Sequence, residues 1–174
     1  MTNRRVTASL LLGALGTLVG CSGADGAKEY DPPETLCGIQ VDPELVAKLL
    51  PAGEEIEIEE KNPVPSRKRC QLNIDGKAAL IASQEWWEKE DNIIDVADAH
   101  PQLESVQPEN GERPYLYTGT GGVGRTDSCV SRDHPDQNLF TAIQVYGKGV
   151  DSSETMKKAI TAYTQAVERS NACQ

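Results

Sequence analysis

Few side chains in this sequence could do chemistry, and their spacing limits what that chemistry could be. His134 stands in Asp133-His134-Pro135-Asp136, the only histidine-carboxylate cluster. An imidazole beside carboxylates could bind a metal or serve a hydrolase as general base. Asp and Pro also favour a polar turn before a strand, which explains the same residues without function. Trp86-Trp87 ends an apolar stretch and is flanked by Glu85, Glu88 and Glu90. On one continuous strand the two rings would leave on opposite sides. One would enter the core, and the other would meet solvent or a groove, where it could stack on a sugar or anchor a protein. Gly119-Thr120-Gly121-Gly122-Val123-Gly124 fits GxGxxG by letter, but no helix opens after it. A hairpin turn that exposes Gly121 and Gly122 is the better reading than a nucleotide site. His100 precedes Pro101 at a helix end, where a partly charged imidazole suits the dipole. No Gly-x-Ser-x-Gly elbow occurs, and the many carboxylates read as surface groups.

The five cysteines carry the most specific signal. Cys21 follows Leu18-Val19-Gly20, behind the Arg4-Arg5 pair and the apolar run Val6 to Val19. That order resembles a bacterial lipoprotein signal. The run is too short and too glycine-containing to span a bilayer. Residues 1–20 would be removed and Cys21 acylated, and two acyl chains would hold the protein on the membrane. Arg4-Arg5 also suits twin-arginine export, although Val6-Thr7-Ala8 continues it poorly. Four cysteines remain, and even parity outside the reducing cytoplasm implies two disulfides. Three pairings are possible. Joining neighbours in order, Cys37–Cys70 and Cys129–Cys173, is favoured. No two cysteines sit two to four residues apart, so no zinc site is expected. The 17 basic residues face 27 acidic ones in 174 residues, a net charge of −10, and removing Arg4 and Arg5 makes the chain more acidic still. Such a surface argues against nucleic acid and against anionic lipid headgroups.

These residues need a scaffold. Residues 21–36 have no hydrophobic period and read as a flexible tether. A single domain is then expected over 37–174. Asp42-Pro43 opens a helix with Leu45, Val46, Leu49 and Leu50 on its apolar face, and Pro51 stops it. Glu54 to Glu60 alternates as an edge strand. Asp75-Gly76 predicts a two-residue type I′ hairpin, pairing Leu72 with Ala79 and Cys70 with Ile81. A short helix is expected over Asp91 to His100 and a loop over Gln102 to Pro114. Strands follow at Tyr115 to Tyr117, near Arg125 to Val130 and at Leu139 to Tyr146, the last with Leu139, Thr141, Ile143 and Val145 on one side. Asp151 and Glu154 suggest a capping box for a final helix with Met156, Ile160, Tyr163 and Val167 inward. The expectation is an α+β fold: a mostly antiparallel sheet of five to six strands, two to three helices packed on it, and two disulfides.

Cys21, Cys37-Gly38, the Asp42-Pro43-Glu44 helix start and Cys70 resemble small actinobacterial (Streptomyces-type) lipoproteins of the DUF3558 type. Gln84-Glu85-Trp86-Trp87, His134-Pro135-Asp136-Gln137 and Thr161 to Val167 also resemble uncharacterised Streptomyces lipoproteins. Leu72 departs from it, since the family often carries Trp two residues after the second cysteine. The resemblance implies location and architecture, and supplies no catalytic residue or cofactor. The functional expectation is a membrane-anchored, extracytoplasmic binding or accessory lipoprotein without catalytic activity. Its cell-envelope protein or cell-wall partner would meet Trp86, Trp87, His134 or the Gly121-Gly122 loop. A carrier of a lipid or small apolar ligand between sheet and helices is the alternative. A hydrolase using His134 with Asp133 or Asp136 is the third.

Overall fold

A computed structural model describes residues 26–103 and 114–173. The expected signal, Cys21 and most of the expected 102–114 loop lie outside the described residues. A six-stranded antiparallel sheet organises the rest. Its strands are β3 (Ile56–Val64), β4 (Arg67–Ile74), β5 (Lys77–Glu88), β6 (Tyr115–Tyr117), β7 (Gly121–Arg125) and β8 (Gln137–Val145), in the order β3-β4-β5-β8-β7-β6. Ahead of it, β1 (Thr35–Leu36) and β2 (Ile39–Gln40) form a separate two-stranded ribbon. The helices are α1 (Pro43–Ala47), α2 (Ile93–Asp98) and α3 (Ser153–Glu168). With disulfides Cys37–Cys70 and Cys129–Cys173, this is the α+β architecture expected from the sequence.

One face of the sheet packs under α3, α1 and the β1–β2 ribbon. Met156, Ile160, Tyr163 and Val167 on α3 are all buried there against Leu72, Leu80, Leu139, Ile143 and Val145. Each such side chain contributes about 1.5–3 kcal/mol by leaving water. The opposite face carries a smaller core, in which Val96 and Ala97 of α2 meet Leu116, Val123, Phe140 and Ala142. Each disulfide clips one margin of the first core. The sequence separations are 33 and 44 residues, so each stabilises by about 4 kcal/mol in the chain-entropy account.

Several expectations are corrected. Residues 26–36 are part of the fold and not a tether. Tyr30 and Leu36 are buried, the Tyr30 hydroxyl donates to the Pro51 carbonyl, and Lys28 bridges to Gly53. The two-residue loop of the β1–β2 ribbon is Cys37-Gly38, with φ of 51° and 76°, which suits a primed turn. Asp75 and Gly76 adopt positive φ as expected, but the hairpin register is shifted by one residue. Leu72 pairs with Leu80 and Cys70 with Ala82, because a bulge at Ala79 interrupts the ladder. Cys70, Leu72, Leu80 and Ala82 therefore share the α3 face, and Ile81 turns to the other. Residues 126–130 are not a strand; the glycines themselves form β7. Ser152, not Asp151, caps α3, its Oγ accepting from Thr155 N. Asn92 caps α2 with a full capping box through Asp95.

Candidate functional site

β5 is twelve residues long and runs through both tryptophans. Successive side chains alternate faces, so Trp86 packs against the α3-side core and Trp87 against the α2-side core. The expected opposition of the rings holds. The expected division into one buried and one exposed ring does not, since both are half-buried. Trp86 stacks on His134 with ring centroids 4.9 Å apart and an interplanar angle of 14°. His134 Nδ1 lies 2.8 Å from Gln137 Oε1. Neither neighbouring aspartate is its partner: Asp136 instead pairs with Lys89 at 3.0 Å. The expected histidine-carboxylate unit is therefore not assembled, and His134 acts as a platform under an indole ring.

The α2-side face of β5 presents Ser83, Glu85 and Trp87 two residues apart, and they form a polar ladder. Ser83 Oγ donates to Glu85 Oε1 at 2.7 Å, and Trp87 Nε1 donates to Glu85 Oε2 at 3.2 Å. Arg67, directly across on β4, reaches Glu85 Oε2 with Nη2 at 3.0 Å. His100 Nε2 stands 3.6 Å from Glu85 Oε1 without a hydrogen bond, and it is buried. Burial pushes the imidazole towards its neutral form; Glu85 opposes this, and Arg67 and Arg69 reinforce it. His100 follows the end of α2 as expected, but it is buried there, and burial favours its neutral form over a charged one on the helix dipole. Glu85, expected at the surface, is only 2% exposed. The sequence carries a signal for it, because Ser-x-Glu-x-Trp at alternating positions places hydroxyl, carboxylate and indole N–H on one side of a strand.

Above this cluster opens a cleft of about 260 Å³, walled by Ser66, Arg67, Glu85, Trp86, Trp87, Glu88, Asp91 and Gln137. Its lining is mainly polar. Gln137 Nε2 donates to Glu88 Oε1 at 2.8 Å, and Asp91 Oδ2 accepts from Glu88 N at 3.1 Å. Carboxylate, amide, guanidinium and hydroxyl groups beside two indoles can exchange hydrogen bonds with a polyhydroxylated ligand and offer it an apolar ring edge.

Gly121 and Gly122 do not form a contact surface. Both are buried within β7. A Cβ at Gly122 would stand 2.9 Å from Ile160 Cβ, and one at Gly124 would stand 2.1 Å from Thr164 Oγ1. Gly122 and Gly124 let α3 lie directly on the sheet, Gly121 admits Gln102 and Leu103 on the other face, and Gly119 abuts Asp151, so packing explains the GxGxxG letters without a nucleotide. Among the described residues no group of three or more His, Cys, Asp or Glu side chains is gathered to hold a metal, and no helix is long and apolar enough to cross a membrane. No protein-family model, curated protein or solved structure matches the chain, so its site is read from geometry alone.

Proposed function

We propose that this chain is a lipid-anchored binding or accessory lipoprotein of the DUF3558-like kind. It is held on the extracytoplasmic face of the cell membrane by acylated Cys21 and binds a cell-wall glycan at the Trp86–Trp87 end of β5. The polar cleft at that end carries the reading, since it places both indoles beside Arg67, Asp91 and Gln137 above a buried carboxylate. A binding role suits the site better than a hydrolytic one. His134 is spent on Trp86 and Gln137, and Ser83 is buried under Glu85.

Trp86 and Trp87 are the only tryptophans in the chain, so tryptophan fluorescence reports this site alone. Titration of the exported protein with soluble cell-wall fragments should give a saturable change in emission. Gln137→Ala and Asp91→Ala should weaken it at least tenfold while leaving the thermal midpoint within a few degrees. Flat emission, together with unchanged sedimentation of the protein with insoluble cell wall in both variants, rejects the site. Intact-mass measurement of membrane-extracted protein tests the anchor separately; an unmodified Cys21 rejects that part.

A further inference from the structure

A second cavity lies on the other face of the sheet, beneath the β1–β2 ribbon and α1. It measures about 260 Å³ and is walled by Leu36, Val46, Ile143, Ala159, Ala162 and Ala166. The alanines are its physical cause. They face α1 from α3 with single methyl groups, where larger side chains would close the gap. The space is open to solvent on one side, where Ala162 is exposed, and an apolar chain that covered its walls would gain by taking them out of water. The cover is short: α1 has five residues, and the ribbon is tied to the sheet by Cys37–Cys70.

The mouth supplies the polarity. Gln40, Asp42 and Arg169 stand at it. Asp42 is committed to capping α1, accepting from Glu44 N at 2.9 Å. Arg169 is exposed at the end of α3, and among the described residues it makes no ion pair. Asp42 keeps its charge but is turned to the α1 backbone, so Arg169 is the one lining group that can receive an anion. We infer that this cavity binds a short aliphatic carboxylate, with the hydrocarbon chain between α1 and α3 and the carboxylate on Arg169. At about 30 Å³ per small group, the share of a water molecule in the liquid, the space takes roughly eight or nine methylene-sized groups. The inference stands apart from the glycan site, which lies at the far end of β5.

Calorimetric titration of the exported, disulfide-intact protein with octanoate tests it. Octanoate should bind saturably at one site and raise the thermal midpoint, with butyrate and octylamine at least tenfold weaker. Ala166→Phe fills the space, and Ala162→Leu does so more gently from the exposed side. Both should weaken octanoate at least tenfold without lowering the thermal midpoint. Arg169→Gln should bring octanoate down to the level of octylamine. Absence of saturable octanoate binding overturns the proposal, as does unchanged binding in Ala162→Leu and any folded Ala166→Phe protein. Equal binding of octylamine and octanoate, with no effect of Arg169→Gln, overturns the assignment of the carboxylate.

Discussion

On the α3 side of the sheet, strand residues Leu72, Leu80, Ile143 and Val145 meet a sixteen-residue helix and a disulfide-pinned cover. On the α2 side, a six-residue helix covers only part of the sheet, and Arg67, Ser83, Glu85 and His100 fill in beside it. The same strands serve both faces, so β5 alternates Leu80, Ala82 and Gln84 with Ile81, Ser83 and Glu85. Stability on the first face scales with apolar area and is spread over many side chains. On the second it depends on a single carboxylate to which two side-chain N–H or O–H groups and one guanidinium point. Such a cluster is costly to break and narrowly defined in geometry. It fixes the position of Trp87, and through it the wall of the polar cleft.

Glu85→Ala is the most severe way to test that contrast. It orphans Ser83 Oγ and Trp87 Nε1 and leaves Arg67 without its partner. Removing one member of a buried ion pair costs about 3–5 kcal/mol; the Arg67 side chain is 38% exposed, so the lower end, about 3 kcal/mol, is expected from urea denaturation. Replacing both partners, as Arg67→Met with Glu85→Met, should recover at least half of that loss, because an apolar pair leaves no buried charge behind. A cost below about 1 kcal/mol for Glu85→Ala would show that the cluster does not hold this face together.

The pH dependence sharpens the comparison. His100 is held neutral below its ordinary value of 6.5, first by burial and with help from Arg67 and Arg69, against the pull of Glu85. The unfolded chain therefore binds a proton more readily than the folded one. Stability from this group is complete above about pH 6.5 and declines as the pH falls through the folded-state value. Thermal midpoints measured between pH 7 and 5 should decline, and His100→Phe should flatten that decline by removing the titrating ring. Glu85→Ala should steepen it, since the one charge that favours protonation is gone. An unchanged slope in His100→Phe would mean that acid sensitivity lies elsewhere.

Legibility in the sequence followed the same division. Apolar periodicity and cap residues are local signals, and they placed α1, α3 and most strands of the large sheet. The even cysteine count together with nearest-neighbour order gave both disulfides. Misreadings arose where tertiary contact overrides a local signal. Nothing within Asp75-Gly76 announces the bulge at Ala79, which is tied to the carbonyl of Ala79 accepting from Tyr146 and Gly147 N–H at the end of β8. Gly121 to Gly124 looks like a turn, but Gly122 and Gly124 answer to α3, more than thirty residues further along, and Gly121 answers to Gln102 and Leu103. Residues 26–36 look like a linker because only Tyr30 and Leu36 are apolar anchors. At the candidate site the tryptophans were visible, but Glu85 was lost among many acidic residues. His100 lies fifteen residues further along the chain, and only the fold brings the two together.

The helix caps give the smallest and most discriminating test. Ser152→Ala and Asn92→Ala each remove one cap acceptor, at a typical cost of about 1 kcal/mol. On α3 the loss should stay local, because six buried residues spread along the helix hold it down, and only the first turn should exchange its amides faster. On α2 the reasoning differs. A helix of six residues has almost no stability of its own in water, and the Asn92–Asp95 capping box supplies side-chain acceptors to its first backbone N–H groups. Its removal should let α2 open as a unit, releasing Val96 and Ala97 from Phe140 and exposing His100. Hydrogen exchange should then rise across all of residues 93–100 in Asn92→Ala, but only over the first turn of α3 in Ser152→Ala. Similar confined fraying in both variants would mean that the smaller core already anchors α2, and that the two faces differ in chemistry more than in cooperativity.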